Sequence, residues 1–264
     1  MQLHYSIYPE KTDITALESP PVLIIPGLFG SGVNWRSFAN ILSEDYVVIT
    51  IDQRNHGRSP HKSSNTYFDL VNDLLEFLKH HQIEKIIPCG HSMGGKTAML
   101  FSLLHPEYVE RLVILDIAPV SYKHSHAPFL KALLEIDLVN LSSRKEADRA
   151  LQALIPEMAT RLFLLQSLTG SPGRYKWRLN LPVLYEFMPH ISGFPLDQIA
   201  VKPSCIRTLL IRGSDSDYVL PEHSAMIDEL FGETKITTIL GAGHWLHADK
   251  PKDVLNALKL FLEK

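Results

Sequence analysis

Residues 86–97 have the sequence Ile86-Ile87-Pro88-Cys89-Gly90-His91-Ser92-Met93-Gly94-Gly95-Lys96-Thr97, and they limit the fold to two possibilities. A short apolar segment leads into a serine flanked by glycines, and helix-forming residues follow. The pattern G-x-S-x-G around Ser92 is typical of a nucleophilic serine on a tight strand-to-helix turn. The pattern G-x-x-x-x-G-K-T from Gly90 to Thr97 is typical of a phosphate-binding P-loop. Because both patterns require strand, turn and helix, the rest of the chain has to decide between them.

The composition is that of an ordinary globular protein. The chain has 264 residues, of which 45% are apolar and 21% charged, with a formal charge of -3. This charge gives no reason to expect nucleic acid or an anionic membrane surface as a partner. No apolar run approaches the roughly 18 residues of a membrane span, and residues 1–5 lack the features of a signal peptide. We therefore expect a cytoplasmic protein without a membrane span; its oligomeric state is left open.

Short apolar runs alternate with helical patterns over most of the chain. The runs that indicate strands are residues 3–8, 22–25, 46–51, 86–89, 112–115, 207–211 and 235–240. Helical spacing relates Trp35, Phe38 and Leu42, and a closing helix is expected near Pro251, a residue suited to a first turn. Strands that alternate with helices predict a mostly parallel, doubly wound α/β sheet.

Residues 121–199 depart from this alternation. They contain no convincing strand but several helical patterns, for instance around Leu130 and Leu162. We expect residues 121–199 to form a helical cap inserted after the sixth strand, on a core made of residues 1–120 and 200–264. Two ordinary crossover helices are the alternative.

A serine nucleophile needs a base to take its proton and a third group to orient that base. The base is predicted to be His244, which follows the last strand within Gly241-Ala242-Gly243-His244-Trp245. The backbone N–H groups of Leu28 and Met93 are candidates for the oxyanion hole. The P-loop interpretation instead uses Lys96 and a Walker B-like strand ending at Asp116. It gives no role to residues 26–32, 52–59 or 241–245, so we favour the serine nucleophile.

With these residues placed, the chain resembles the α/β-hydrolases from end to end and, more narrowly, the YbfF-like carboxylesterases. The match is weakest across the predicted cap. The stretches that carry the resemblance are Pro26-Gly27-Leu28-Phe29-Gly30-Ser31, Asp52-Gln53-Arg54-Asn55-His56-Gly57-Arg58-Ser59, Gly90-His91-Ser92-Met93-Gly94-Gly95-Lys96 and Leu115-Asp116-Ile117-Ala118-Pro119-Val120. One departure is Pro26, which stands where a histidine is common and leaves the anchoring of the oxyanion loop to be explained.

The resemblance also bears on the acid of the triad. Many superfamily members carry it three residues after the glycine that ends the penultimate strand, but here that position is Ser216. The YbfF-like branch similarly has a serine there, and its acid follows the strand after the nucleophile. The resemblance therefore implies Asp116 as the acid and Ser216 as an auxiliary hydrogen-bonding group near His244. Asp215 and Asp217 are the alternatives.

These residues predict a serine hydrolase that cleaves carboxylic esters, or acyl thioesters, through an acyl-enzyme, without cofactor or metal. A carbon–carbon bond hydrolase on the same triad, a P-loop NTPase and a non-catalytic small-molecule receptor are the alternatives. Lys96 is then expected to be an ordinary residue of the helix after Ser92, and both cysteines to be free and buried. The remaining histidines His124, His126, His223 and His247 are expected to be solvated.

Overall fold

The computed structural model describes residues 1–200, 203–232 and 234–263, and a seven-stranded sheet forms its centre. The strands lie in the order β1-β3-β2-β4-β5-β8-β9, and only β1 runs antiparallel to its neighbour. Their bounds are β1 Tyr5–Tyr8, β2 Val22–Ile25, β3 Val48–Ile51, β4 Ile87–His91, β5 Leu112–Leu115, β8 Thr208–Gly213 and β9 Thr234–Ile239. The predicted α/β fold with a mostly parallel, doubly wound sheet is confirmed.

Helices cover both faces of this sheet. Their bounds are α1 Arg36–Leu42, α2 Tyr67–His80, α3 Met93–Leu104, α4 Ala127–Leu134, α5 Arg144–Gln152, α6 Met158–Leu165, α7 Leu181–Glu186, α8 Met188–Ser192, α9 Ser224–Phe231, α10 Leu246–Asp249 and α11 Pro251–Leu262. Successive strand residues point to opposite faces. Ile25 packs with the apolar side chains of α2 and α3, whereas Ile24 packs with those of α1 and α11. Burial on both faces explains why the strands are continuous apolar runs.

The segment between β5 and β8 is mostly helical, and it contains α4 to α8. It also contains a hairpin of two short strands, β6 (Leu168–Thr169) and β7 (Lys176–Trp177), which the sequence did not indicate. Two-residue strands are too short to show an alternating pattern. The division into a core and a cap at residues 121–199 stays a prediction, and residue 264 lies outside the described part of the chain.

The segment follows the fifth strand of the chain, so the expected position after a sixth strand is wrong. Residues 9–21 add no strand between β1 and β2. They carry Pro9, Pro20 and Pro21, and proline cannot donate a hydrogen bond to a strand ladder. The five apolar runs before residue 121 correspond to β1 to β5, so no sixth strand precedes the insertion.

Membrane spans and cysteines were also predicted from the sequence. No helix within the described residues is both long and apolar enough to cross a bilayer. The cytoplasmic location stays a prediction. Both cysteines are free as expected, but only Cys89 is buried and Cys205 is exposed. Burial raises the pKa of the Cys89 thiol to about 12, so this thiol is unreactive at neutral pH.

Candidate active site

Ser92 occupies a sharp turn between β4 and α3, because β4 ends at His91 and α3 begins at Met93. Its backbone has φ 54° and ψ -120°, a combination that L-residues rarely adopt. The Ser92 N–H donates to the Leu115 carbonyl oxygen at 3.1 Å, which ties the turn to β5. A strained serine held in this way exposes its hydroxyl at the carboxyl edge of the sheet.

The glycines on either side of Ser92 are required by close backbone packing. A Cβ atom at Gly90 would lie 2.2 Å from the Gly94 carbonyl oxygen. A Cβ atom at Gly94 would lie 2.1 Å from the Ile25 carbonyl oxygen of β2. Any side chain at either position would therefore force the strand and helix apart.

The same geometry excludes the P-loop interpretation. A phosphate-binding loop cradles its ligand in the turn between strand and helix. Here a single residue, Ser92, separates β4 from α3. The Lys96 side chain is buried, and its Nζ donates to the carbonyl oxygens of Ser192 at 2.9 Å and Gly193 at 2.7 Å. Lys96 lies on α3, the helix after Ser92, as expected; the sequence did not indicate that its buried amine joins α3 to the end of α8.

His244 lies on the loop between β9 and α10, and its Nδ1 is 2.8 Å from Oδ2 of Asp116. Its carbonyl oxygen accepts a hydrogen bond of 2.8 Å from Nε2 of His91, so the residue before Ser92 holds the His244 backbone. The Tyr218 ring stacks on the imidazole with a centroid distance of 3.6 Å. The structure thus fixes the His244 ring from its edge, its face and its backbone.

Asp116 follows β5 and is completely buried, with φ 51°. Its Oδ1 accepts a hydrogen bond from the Gly213 N–H at 2.9 Å, and its Oδ2 accepts from the Ser216 hydroxyl as well as facing His244. Ser216 therefore contacts the carboxylate and not the imidazole itself. The alternative carboxylates, Asp215 and Asp217, are both exposed to solvent.

Burial governs the protonation of this pair. It lowers the pKa of His244 below the ordinary value of a histidine, with His126 and His124 adding to the effect. Burial also raises the pKa of Asp116, although the hydrogen bonds from Ser216 and Gly213 oppose that shift. A neutral imidazole that donates through Nδ1 keeps a lone pair on Nε2, the form a general base requires.

Ser92 and His244 line the same cavity. Within the described part of the chain, the Ser92 hydroxyl makes no hydrogen bond to the His244 ring or to another protein group. In enzymes without bound substrate, such contacts are often long and tighten only in the complex. The geometry therefore joins His244 directly to Asp116 and brings Ser92 to the same cavity.

The predicted oxyanion donors lie beside the serine. A Cβ atom at Gly27 would be 3.1 Å from Cβ of Ser92, so the loop after β2 packs directly against the nucleophile candidate. Among the hydrogen bonds of the described residues, the N–H groups of Leu28 and Met93 donate to no protein acceptor. The Gln53 side chain donates to the Pro26 carbonyl oxygen at 2.7 Å, which explains how this loop is anchored.

Two cavities meet at Ser92, and both are also lined by Leu28 and His126. The larger, the aromatic cavity, encloses about 500 Å³ including its open mouth. Its apolar walls are Phe29, Trp35, Phe129, Phe163, Leu164 and Trp245. The smaller, the lysine cavity, encloses about 330 Å³, again including its open mouth. Its remaining lining includes Tyr67, Lys96, Tyr122, His124, Ser192 and Tyr218.

Two histidines near the site, His126 and His247, were wrongly expected to be solvated, whereas His124 is exposed as expected. His247 stacks on Trp35 with a centroid distance of 3.9 Å, and burial lowers its pKa well below the ordinary value. His126 is hydrogen-bonded to the Tyr218 hydroxyl at 3.0 Å, and burial lowers its pKa to about 4.

The histidines and the aspartate near Ser92 are not arranged as a metal site. Across residues 1–200, 203–232 and 234–263, no group of three or more His, Cys, Asp or Glu side chains has an arrangement suited to a metal ion. The prediction that the reaction needs no cofactor remains a prediction.

Known proteins share both the sequence and the fold. A family model described as alpha/beta hydrolase fold matches residues 20–251. The chain is 39% identical over 251 residues to a mouse protein named sn-1-specific diacylglycerol lipase ABHD11, covering 92% of this chain and 81% of the relative. It is 34% identical over 243 residues to Esterase YbfF of Escherichia coli strain K12, covering 92% of each.

A solved structure described as a marine microorganism esterase superposes with a TM-score of 0.91 at 36% identity, covering 98% of this chain and 99% of the other. The site geometry, the family model and these relatives agree. The chain belongs to the α/β-hydrolase superfamily and, within it, to the branch of YbfF-like carboxylesterases.

Proposed function

We propose that this protein hydrolyses carboxylic esters, acyl thioesters included, through an acyl-enzyme formed on Ser92. The observation that carries the proposal is the buried Asp116–His244 pair at 2.8 Å, beside a strained serine that lines the same cavity as the imidazole. The names of the relatives, an esterase and a diacylglycerol lipase, support an ester as the substrate.

In the proposed reaction, Nε2 of His244 takes the hydroxyl proton while Oγ of Ser92 attacks the acyl carbonyl. The N–H groups of Leu28 and Met93 stabilise the oxyanion. The imidazolium then protonates the leaving alcohol or thiol, and the acyl-enzyme remains. A water molecule deprotonated by His244 attacks this ester, and the carboxylic acid leaves as Ser92 regains its proton.

Asp116 acts in this reaction through His244. Its carboxylate holds the Nδ1–H tautomer and favours the imidazolium that forms during proton transfer. Ser216 in turn keeps Oδ2 of Asp116 oriented toward the ring, because its hydroxyl donates to that oxygen. The aromatic cavity is the proposed site of the apolar part of the ester.

Replacement of the nucleophile tests the proposal. We expect Ser92→Ala to lower kcat for a short p-nitrophenyl ester by about 10⁴-fold or more, as losses of triad members do. Ser102→Ala is a matched control, since Ser102 lies on the same helix and its hydroxyl only donates to the Ala98 carbonyl oxygen. Near-normal turnover by Ser92→Ala would refute the proposal. Stoichiometric ester binding without turnover by the unmodified protein would favour the receptor hypothesis.

A further inference from the structure

Lys96 is a buried amine that the proposed reaction does not use. Only 1% of its surface is exposed. Two of its three N–H donors bind the Ser192 and Gly193 carbonyl oxygens, and Nζ lies 4.6 Å from the centroid of the Tyr122 ring. A lysine ammonium has three donors, so one is left for another acceptor. That donor belongs to a side chain lining the cavity that also contains Ser92.

The charge of Lys96 faces the rings of Tyr122 and Tyr67, at 4.6 Å and 5.9 Å from their centroids, and no carboxylate of the described residues neutralises it. No carboxylate within the described ranges lies within 4 Å of Nζ, although seven ion pairs of lysine, arginine or the N-terminal amine occur there. Burial alone lowers the pKa of Lys96 to about 7. A buried cation is costly when it has no partner of opposite charge.

The other ionisable groups of the lysine cavity are phenols and imidazoles, and none of its lining residues is acidic. The Tyr67 hydroxyl donates to the Ile191 carbonyl oxygen and the Tyr122 hydroxyl to that of Tyr218, so both phenols are already engaged. His124 is exposed at the mouth of the cavity, where burial and the Lys96 charge lower its pKa and the carboxylate of Asp217 opposes that shift. The cavity is therefore basic and has no acid of its own.

We propose that the lysine cavity binds a carboxylate group of the substrate, so that the preferred esters carry a free acid on their acyl or their alcohol part. The inference rests on the proposed function, because Ser92 and Leu28 line both cavities and the ester group has to lie between them. The Lys96 ammonium supplies the charge, and His124 at the mouth adds a second donor. Because Ser92 and Lys96 line the same cavity, the acid has to lie only a few bonds away from the scissile group.

Matched pairs of esters test the proposal. On the acyl side, mono-p-nitrophenyl glutarate is compared with p-nitrophenyl pentanoate; on the alcohol side, 4-(butyryloxy)butanoate is compared with pentyl butyrate. In one of the two arms we expect the carboxylate ester to have a KM about tenfold lower than its neutral partner, as a hydrogen bond to a charged group provides. The pair that shows the lower KM for its carboxylate ester identifies whether the acid belongs to the acyl or to the alcohol part of the substrate. Equal KM values or a preference for the neutral ester in both arms would overturn the inference, while ester hydrolysis itself would stand.

Substitutions in the lysine cavity test whether this cavity causes the preference for carboxylate esters. Lys96→Met should bring the KM ratio of the responding pair close to one, and His124→Gln should lower it by about twofold to threefold. Lys123→Gln is the matched control for His124→Gln, because Lys123 is an exposed neighbour that does not line the cavity. If Lys96→Met does not fold, His124→Gln against Lys123→Gln decides. A ratio unchanged in the folded variants would refute the role of the cavity.

A binding measurement separates this inference from the proposed function. Titration calorimetry with glutarate should show binding to the unmodified protein and a loss of at least tenfold in affinity with Lys96→Met. This result would support the carboxylate site even if no ester were hydrolysed. The absence of glutarate binding to the unmodified protein, or equal binding by the variant, would contradict it.

Discussion

The carboxyl edge of the sheet and the segment of residues 121–199 are built by different means. At the edge, four non-glycine residues have positive φ values between 51° and 67°; they are Phe29, Asn55, Ser92 and Asp116. Each follows a strand whose residues are buried on both faces. Such strain persists only where the surrounding structure over-determines the backbone. The rigid sheet is thus what holds the reacting groups in place.

The segment of residues 121–199 has no comparable scaffold. Its longest helix, α5, has nine residues, and several large apolar side chains are exposed, for instance Val139, Leu154, Met158 and Leu162. Its buried apolar residues, Leu130 and Ile191 among them, belong to the same core cluster as Ile25 of the sheet, and hydrogen bonds such as that from the Asn180 N–H to the Asn55 carbonyl oxygen at 2.9 Å also join it to the sheet edge. The difference indicates that the groups proposed to react are held by the sheet edge. It also indicates that residues 121–199 form cavity walls in which substitutions cost little stability.

The acid gives the largest expected effect. We predict that Asp116→Asn lowers kcat by about 10⁴-fold, because an amide cannot hold the Nδ1–H tautomer of His244 as a carboxylate does. Steady-state hydrolysis of a p-nitrophenyl ester measures this change. Asp215→Asn and Asp217→Asn are matched controls on exposed carboxylates and should stay within about threefold of the unmodified protein. The reverse ranking would assign the acid to the loop after β8.

The turn at Ser92 should also be intolerant of added atoms. We predict that Gly94→Ala destabilises the fold by about 3 kcal/mol or more, since its Cβ atom would lie 2.1 Å from the Ile25 carbonyl oxygen. Ser171→Ala, on an exposed turn of the inserted segment, should change the free energy of unfolding by less than about 0.5 kcal/mol. Urea denaturation measures both. Similar values for the two variants would remove the distinction between the two regions.

Part of the acid sensitivity should likewise originate at the sheet edge. Burial lowers the pKa of His56 to about 4 and that of His91 to about 3. Below pH 6.5 the unfolded chain therefore binds protons that the folded chain excludes until these lower values are reached. Stability is complete above about pH 6.5, and each such histidine removes up to about 1.4 kcal/mol per pH unit as the pH falls.

Urea denaturation between pH 7 and pH 5 measures this dependence. His56→Gln should reduce the slope, whereas His190→Gln, at an exposed position in the inserted segment, should leave it unchanged. A slope unaffected by His56→Gln would show that the protonation of this buried ring does not limit acid stability.

The sequence predicted most of the fold, because strands, helices and the turn at Ser92 depend on local patterns. It also named Ser92, His244 and Asp116, which the structure places near one another; their roles stay predictions. The bounds of β2 and β5 agree with their apolar runs, and the glycines around Ser92 indicated the turn before the structure was known. Contacts between distant segments were not predictable in this way. Nothing near Lys96 in the chain indicates that its amine meets the carbonyl oxygens of residues 192 and 193, and nothing near His247 indicates Trp35.

The central claim is that His244 activates the hydroxyl of Ser92, and covalent labelling tests it most directly. A fluorophosphonate probe should modify the unmodified protein at Ser92 alone, as identified by peptide mass spectrometry. His244→Ala should slow this labelling by several orders of magnitude while the protein stays folded, because the serine loses its base. Labelling of another residue, or an equal rate in His244→Ala, would contradict the account.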